Sequence, residues 1–127
     1  MANPNIVSVS AIYGNTSTLL ISSTADPFAT ALVSNAASSG KVFKINSIVV
    51  ANVDGTSAAD ISIKIFSAAA LGGTGTAIAS TISVPPDASL IVTDKTTSFY
   101  LLEDRSIGAT ASAANDIVVT CSWEEIN

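Results

Sequence analysis

The sequence predicts an all-β fold: an antiparallel β-sandwich, jelly-roll or immunoglobulin-like, of about 8–10 short strands with little or no helix. β-branched residues, which favour strands, are abundant, since the chain has fourteen Ile, eleven Val and thirteen Thr. Apolar and polar residues alternate in several segments, and no window carries an apolar stripe of helical period with a cap. Gly, Pro, Asn, Asp and Ser punctuate these segments, as turns do between strands. A closed barrel is the second architecture that this pattern allows.

Two neighbouring segments, residues 41–53 and 61–65, predict two strands joined as a hairpin. In the first, one side of the period-two pattern is apolar and is expected to face the core: Phe43, Ile45, Val49, Ala51 and Val53. The other side carries Lys44, Asn46 and Asn52. Asp54-Gly55 follows the first strand at once, as in a tight turn. Ile61, Ile63 and Ile65 then alternate with Ser62 and Lys64, which predicts the second strand.

The C-terminal residues 117–124 repeat the same alternation. Their apolar side contains Ile117, Val119, Cys121 and Trp123, and their polar side contains Thr120, Ser122 and Glu124. This pattern predicts another strand with one face on the core. Cys121 is therefore expected to be a buried core residue.

Shorter β-like runs, each bounded by turn-forming residues, complete the predicted set: 6–12, 18–22, 30–34, 77–84, 89–93 and 99–102, with a weaker one at 106–112. Pro85-Pro86 cannot donate ladder hydrogen bonds, so the strand before them must end at Val84 or lie at an edge. The small residues of 67–76 predict an exposed loop. No linker, long-period repeat or charge block divides the chain, so residues 1–127 are expected to form one domain.

The composition is poor in charge and rich in small side chains. Charged residues make up 12% of the chain, against about 25% in an average soluble domain, and the mean hydropathy is +0.53. Ala, Ser and Thr fill 52 positions, and small side chains lose little rotamer entropy on burial. We expect such a surface to be packed against other molecules in an assembly.

Charge and residue content exclude several classes of function. A net charge of -5 and a pI near 4.2 argue against binding to nucleic acid or anionic membrane. Histidine, the commonest metal ligand and the side chain whose ordinary pKa lies nearest neutrality, is absent. No apolar stretch approaches the roughly 18 residues of a membrane span. The first residues lack the basic and apolar segments of a secretory signal, so we expect synthesis in the cytoplasm.

Three groups of residues could carry chemistry, but each has a simpler structural interpretation. Gly72-Gly73-Thr74-Gly75 lacks the Lys-Ser or Lys-Thr pair of a phosphate-binding loop and is interpreted as a hairpin tip. Asp94, Glu103 and Asp104 do not have the spacing of a calcium loop and are interpreted as solvated turn residues. Cys121, like the many hydroxyls, has no His to activate it. We therefore expect no catalytic residue, no cofactor, no metal site and no small-molecule substrate.

Aromatic residues and one glycosylation pattern leave a carbohydrate-related interpretation open. Trp123 and Tyr100 could form a platform on which a sugar ring stacks, although core or interface packing is the simpler interpretation. Asn15-Thr16-Ser17 has the pattern of a glycosylation acceptor but no secretory signal to support it. A carbohydrate-binding adhesion module is therefore kept as an alternative function.

Several strand-and-turn phrases resemble a known group of proteins. They are Ala11-Ile12-Tyr13-Gly14, residues 39–48, residues 84–90, Tyr100-Leu101-Leu102-Glu103-Asp104, residues 111–116 and Ser122-Trp123-Glu124-Glu125-Ile126. Together they resemble the small virion structural proteins of tailed bacteriophages, including those that infect cyanobacteria. The similarity covers most of the chain.

The resemblance implies a non-enzymatic component of a virion. Such proteins commonly decorate or cement the outer shell of the head, where they contact the major capsid protein, and others lie at the neck, tail or fibres. We expect a capsid decoration protein that forms a homo-oligomer, with a trimer favoured. Residues 1–10 are expected to form an arm that contacts a neighbouring subunit, because a chain terminus usually frays unless another part of the structure holds it. The neck, tail or fibre location remains the first alternative.

Overall fold

The predicted fold class is confirmed by a computed structural model, which describes residues 4, 6–22, 24 and 31–127. Within these residues the chain forms nine β-strands and one 3-10 turn. The strands are β1 (Ile12–Leu20), β2 (Ala31–Asn35), β3 (Val42–Asn52), β4 (Ala59–Phe66), β5 (Gly75–Val84), β6 (Ser89–Thr93), β7 (Phe99–Leu101), β8 (Arg105–Ala111) and β9 (Ile117–Ile126). The turn, Lys95–Thr97, separates β6 from β7. In this part of the chain no helix is long and apolar enough to cross a membrane.

The strands form two antiparallel sheets. The first sheet has the order β1-β9-β3-β6, with β7 also pairing with β3, and the second has the order β2-β8-β4-β5. The two inner faces meet in one cluster of buried apolar residues, which includes Ile45, Ile48, Ile61, Ile63 and Ile107, all without exposed surface. The fold is therefore a sandwich around a core built mostly of β-branched and small side chains.

The order of pairing is that of a jelly roll. Because β6 and β7 both pair with β3, they occupy one strand position, and the described strands then fill eight positions. The first position pairs with the last, the second with the seventh, the third with the sixth and the fourth with the fifth. This nesting is produced when one long antiparallel ribbon is rolled up. Of the two sandwiches expected from the sequence, the structure is the jelly roll.

One predicted strand orientation in β3 is wrong beyond its midpoint. A β-bulge falls between Ile45 and Ser47, where β3 advances by one residue more than its partner β9. A single extra residue moves every later side chain to the opposite face. Ile48, Val50 and Asn52 therefore face the core, and the predicted core residues Val49, Ala51 and Val53 do not: Val53 is 55% exposed.

The predicted hairpin between residues 41–53 and 61–65 is also wrong. Both segments are strands, but β3 belongs to the first sheet and β4 to the second. Asn52, expected on the polar side, is buried and holds this crossover, because its Nδ2 donates to the carbonyl oxygens of Ser57 and Val84, each at 2.9 Å. Its Oδ1 accepts the amide of Asp54. The hydrogen bonds of the buried Asn52 side chain thus hold the chain where a tight hairpin turn was expected.

The N-terminal strand differs from its prediction as well. The runs predicted at 6–12 and 18–22 are replaced by the single strand β1, and the polar residues between them, Gly14 to Ser17, lie in its middle. β1 pairs with β9 residue by residue from Ile12 opposite Ile126 to Leu20 opposite Val118. Nine consecutive pairs with β9 outweigh the turn preference of these residues. Part of the predicted run 30–34, Thr30, lies outside the described residues.

The loop between β4 and β5 is shorter and better held than predicted. Gly75 and Thr76 belong to β5, which ends at Val84 immediately before Pro85-Pro86 and lies at a sheet edge, as predicted. The remaining loop folds back onto the second sheet, where the amides of Ala69, Ala70 and Leu71 donate to the side chains of Asp104, Ser34 and Ser106. These bonds hold Ala70 and Leu71 at positive φ, a backbone conformation that costs about 1–2 kcal/mol per residue.

Candidate interaction surface

The acidic residues considered from the sequence serve separate local roles. Asp94 begins the 3-10 turn, and its carboxylate accepts hydrogen bonds from the hydroxyl and the amide of Thr96, which lower the pKa of Asp94. Asp104 accepts the amide of Ala69 at 3.0 Å. Glu103 is only 9% exposed, so its predicted place in a solvated turn is wrong. No three His, Cys, Asp or Glu side chains among the described residues are grouped so that they could hold a metal ion.

The glycine-rich segment does not offer its amides to a phosphate. The amides just before it bind side chains of the second sheet, and the Gly72 amide donates to the carbonyl oxygen of Ala69 at 3.1 Å. Gly73 has a φ of +71° and lies so close to Ser67 that a Cβ would overlap the Ser67 hydroxyl. These glycines therefore meet the steric needs of a tight loop.

Cys121 lies in the core, as predicted. It has no exposed surface, and burial raises the pKa of its thiol to about 12. A thiol acts as a nucleophile through its thiolate, so a raised pKa makes it unreactive near neutral pH. Across the strand pair Cys121 lies opposite Ile48, and both belong to the same cluster of buried residues.

Trp123 and Tyr100 do not form a shared aromatic platform. Trp123 lies opposite Ile45 and packs on Phe43, with the ring centroids 6.1 Å apart. Tyr100 lies opposite Lys44, the next residue of β3, and so projects from the other face of the first sheet, where it is 45% exposed. Because neighbouring residues in a strand point to opposite faces, the two rings cannot contact one ligand together.

The outer face of the first sheet carries an uncharged patch that spans all its long strands. One row across the sheet contains Leu20, Val118, Ala51 and Ser89, which are opposite one another in register. The next row contains Thr18, Thr120, Val49 and Ile91. We call these eight residues the neutral patch. Ile91 is 62% exposed and Leu20 is 48% exposed.

The charges on the strands of this face lie away from the neutral patch. Lys44 and Glu124 are opposite each other in register, two rows beyond Thr120, and Glu124 accepts a hydrogen bond from Asn46 at 3.2 Å. Between them and the patch lies a row of hydroxyls, in which the Thr16 and Ser122 side chains are 3.0 Å apart. The eight patch residues themselves therefore carry no ion that a partner would have to desolvate.

The sequence interpretation missed the neutral patch, although a signal for it was present. Four strands contain adjacent apolar residues, so that both of their faces are apolar: Leu19-Leu20 in β1, residues 48–51 in β3, residues 90–92 in β6 and Val118-Val119 in β9. Strands that are apolar on both faces are typical of sheets covered on both sides. In this chain the described residues cover only one of the two faces.

The expected N-terminal arm is described in part. Ile6 and Val7 are 52% and 91% exposed. The arm meets β1 where the amides of Ser10 and Ala11 both donate to the carbonyl oxygen of Asn127. Its contact with a neighbouring subunit stays a prediction.

The surface belongs to a jelly-roll sandwich whose described residues contain no grouped metal ligands. No protein-family model and no curated protein matches the chain. Among solved structures, the chain is similar to part of one chain in "Crystal structure of the T13 IBDV viral particle reveals a missing link in icosahedral viruses evolution", with 11% sequence identity and a TM-score of 0.48. The similarity covers 94% of this chain and 32% of that chain. This chain thus spans about a third of the length of the protein to which it is compared.

Proposed function

We propose that this chain is a non-enzymatic structural protein of a tailed-bacteriophage particle, and that it decorates the outer shell of the head by binding the major capsid protein. The observation that supports the proposal is the neutral patch, an apolar and hydroxyl surface on the first sheet with no partner among the described residues. The sequence resemblance supplies the kind of particle. The jelly roll itself is shared by capsid proteins, lectins and cupins, so the fold alone does not distinguish these functions.

The patch suits a permanent contact better than a transient one. Its side chains are Leu, Ile, Val, Ala, Ser and Thr, which lose little rotamer freedom when covered. Burying apolar area gives about 25 cal/mol per Å², and no ion on the patch opposes that gain. Obligate interfaces are more apolar than transient ones.

The patch is the centre of a larger interface and not the whole of one. Four strands about 4.8 Å apart and two rows of residues cover on the order of 250 Å², whereas a stable interface buries about 800 Å² on each partner. The hydroxyl row of Thr16 and Ser122, directly beyond the patch, extends the uncharged contact area.

A place in the neck, tail or fibres would use the same surface, and copy number separates the two locations. Quantitative mass spectrometry of purified virions, calibrated on the major capsid protein, should find this chain in hundreds of copies per particle. Cryo-electron microscopy should then place it on the head exterior. A few copies per particle, with density confined to the tail, would move the chain to the first alternative, and its absence from virions would contradict the proposal.

The carbohydrate-binding alternative has less support from the structure. The two aromatic residues that suggested it, Trp123 and Tyr100, lie on opposite faces of the first sheet. No other feature of the described residues favours a sugar site.

A further inference from the structure

β1 is a sheet edge with an unusual degree of regularity. It forms one side of the first sheet, and none of the described strands pairs with its outer side. Its nine residues keep an unbroken register with β9. The backbone groups along the outer side of such a strand are a template for pairing with another strand.

β1 also lacks the features that protect the other sheet edges from pairing with a further strand. Proteins protect exposed edges with charged residues, proline, bulges or short strands. β5, an edge of the second sheet, has two register shifts and a positive φ at Thr81, and β2 has five residues and a register shift. β6 has five residues and is separated from β7 by the 3-10 turn. By contrast, β1 contains no charge, no proline and no shift.

The sequence of β1 is palindromic in polarity about Thr16. Ile12 and Leu20 lie four residues to either side, Tyr13 and Leu19 three, Gly14 and Thr18 two, and Asn15 and Ser17 one. An antiparallel pair of two β1 strands centred on Thr16 would thus set apolar residues opposite apolar ones at both ends and polar residues opposite polar ones in the middle. Ile12, Tyr13 and Leu20 are 54%, 60% and 48% exposed, and each would gain an apolar partner.

We propose that β1 pairs with β1 of a second copy of this chain, antiparallel and with Thr16 on the two-fold axis. A two-fold interface uses the same patch on both subunits, so the patch has to complement itself, and the palindrome meets that requirement. The absence of charge in β1 matters for the same reason, because identical strands would set like charges near each other. The pairing continues the first sheet across both subunits.

The proposed dimer places the two neutral patches on one side of the joined sheet. The axis of an antiparallel strand pair stands perpendicular to the sheet, so both outer faces point the same way. Leu20, a patch residue, would lie beside the exposed Ile12 of the second copy. A two-fold contact closes with two subunits, and it therefore predicts a dimer where the sequence resemblance favours a trimer.

Cysteine cross-linking tests the register directly in the free protein, without any virion. Residues directly opposite in an antiparallel pair have Cα atoms about 4.5–5.5 Å apart, within the range of a disulfide. Thr16→Cys should therefore cross-link to a covalent dimer under mild oxidation. Thr18→Cys, on the same strand and face, lies opposite Gly14 of the second copy and about 13 Å from its counterpart, and it should stay at least 10-fold less cross-linked. Wild type, whose Cys121 is buried, serves as the blank.

Sedimentation equilibrium supplies a second test that does not depend on a thiol. Wild type is expected at twice the 12.8 kDa of one chain, and Thr16→Lys, which sets two ammonium groups opposite each other, at the mass of one chain. Ser80→Lys, an exposed position on the bulged edge β5, is the matched control and should keep the wild-type mass. Circular dichroism checks that each variant is folded. A monomeric or trimeric wild type, or equal cross-linking at residues 16 and 18, would overturn the inference while leaving the virion proposal open.

Discussion

Ile45 and Ile48 of β3 both point into the core with no exposed surface, although they are an odd number of positions, three, apart in one strand. Ile45 lies opposite Trp123 and Ile48 opposite Cys121, so β9 advances by two residues where β3 advances by three. The extra residue is the β-bulge, and it turns Val49 and Ala51 outward. The core of the first sheet and the neutral patch on its other side therefore depend on the same local irregularity.

The bulge predicts which of two adjacent apolar residues stabilises the fold. Ile48→Ala should lower the free energy of unfolding by about 2–5 kcal/mol, because it opens a cavity in the core. Val49→Ala should lower it by about 1 kcal/mol or less, since Val49 is half-buried on the outer face. Guanidinium unfolding of both variants measures the difference. A larger loss for Val49→Ala would mean that β3 follows the simple alternation and has no bulge.

Two glycines at similar φ separate backbone strain from steric overlap. Gly40 (φ +68°) has open space where a Cβ would stand, whereas at Gly73 (φ +71°) a Cβ would overlap the Ser67 hydroxyl. Gly40→Ala should cost about 1–2 kcal/mol from the left-handed backbone alone, and Gly73→Ala at least about 1 kcal/mol more, because Ser67 Oγ is held by the Thr74 amide at 2.9 Å. Adding Ser67→Ala to Gly73→Ala should recover part of the loss in thermal unfolding. Equal effects of the two single variants would show that the loop adapts freely.

Asn35 is expected to be the costlier of two asparagines to replace. Its side chain is fully buried, donates to the carbonyl oxygens of Lys41 and Leu101, and accepts the Ser39 hydroxyl at 2.6 Å. Asn35→Leu leaves these groups without partners and should cost about 2–4 kcal/mol. Asn46→Leu, which loses one bond to Glu124 at the half-exposed outer face, should cost about 1 kcal/mol or less. Urea midpoints at an unchanged slope measure both, and comparable losses would show that the Asn35 bonds add nothing.

The buried thiol gives a pH dependence on the alkaline side. Burial raises the pKa of Cys121 from 9.0 to about 12, so the unfolded chain releases this proton at a lower pH than the folded chain does. The stabilisation linked to the thiol is fully present below pH 9 and is lost as the pH rises toward 12. The difference in unfolding free energy between wild type and Cys121→Ala should therefore shrink over that interval. A difference that stays constant would indicate an exposed, freely titrating thiol.

The parts of the fold that the sequence predicts are those where alternation is unambiguous. In residues 61–65 the apolar Ile61, Ile63 and Ile65 alternate with the polar Ser62 and Lys64, so the alternation identifies the inward-facing side. In residues 48–51 all four are apolar, and period alone cannot choose a face. The β-bulge determines which of these four residues face the core, and no local feature of the sequence indicates the bulge. The same ambiguity hid the neutral patch.

Pairing between distant segments explains the other differences. Gly14 to Ser17 are residue types that favour turns. They nevertheless form a strand, because β9, more than 100 residues later in the chain, pairs with them in the sheet. Asp54-Gly55 has the form of a hairpin turn, yet the chain crosses to the second sheet. There Asn52 bonds to Ser57 and to Val84, a residue of the distant strand β5. Such contacts form only in the folded sandwich, so local residue preferences do not predict them.

The central claim, that the neutral patch binds a particle, is tested most directly by co-sedimentation with virions that lack this chain. Ile91→Glu places a charge at the most exposed apolar residue of the patch, and Ser80→Glu places the same charge on an exposed edge of the second sheet. We expect Ile91→Glu to weaken binding at least 10-fold, since the new carboxylate would have to be buried without a partner. Ser80→Glu should bind as wild type does. Equal binding of the two variants, both folded, would contradict the account.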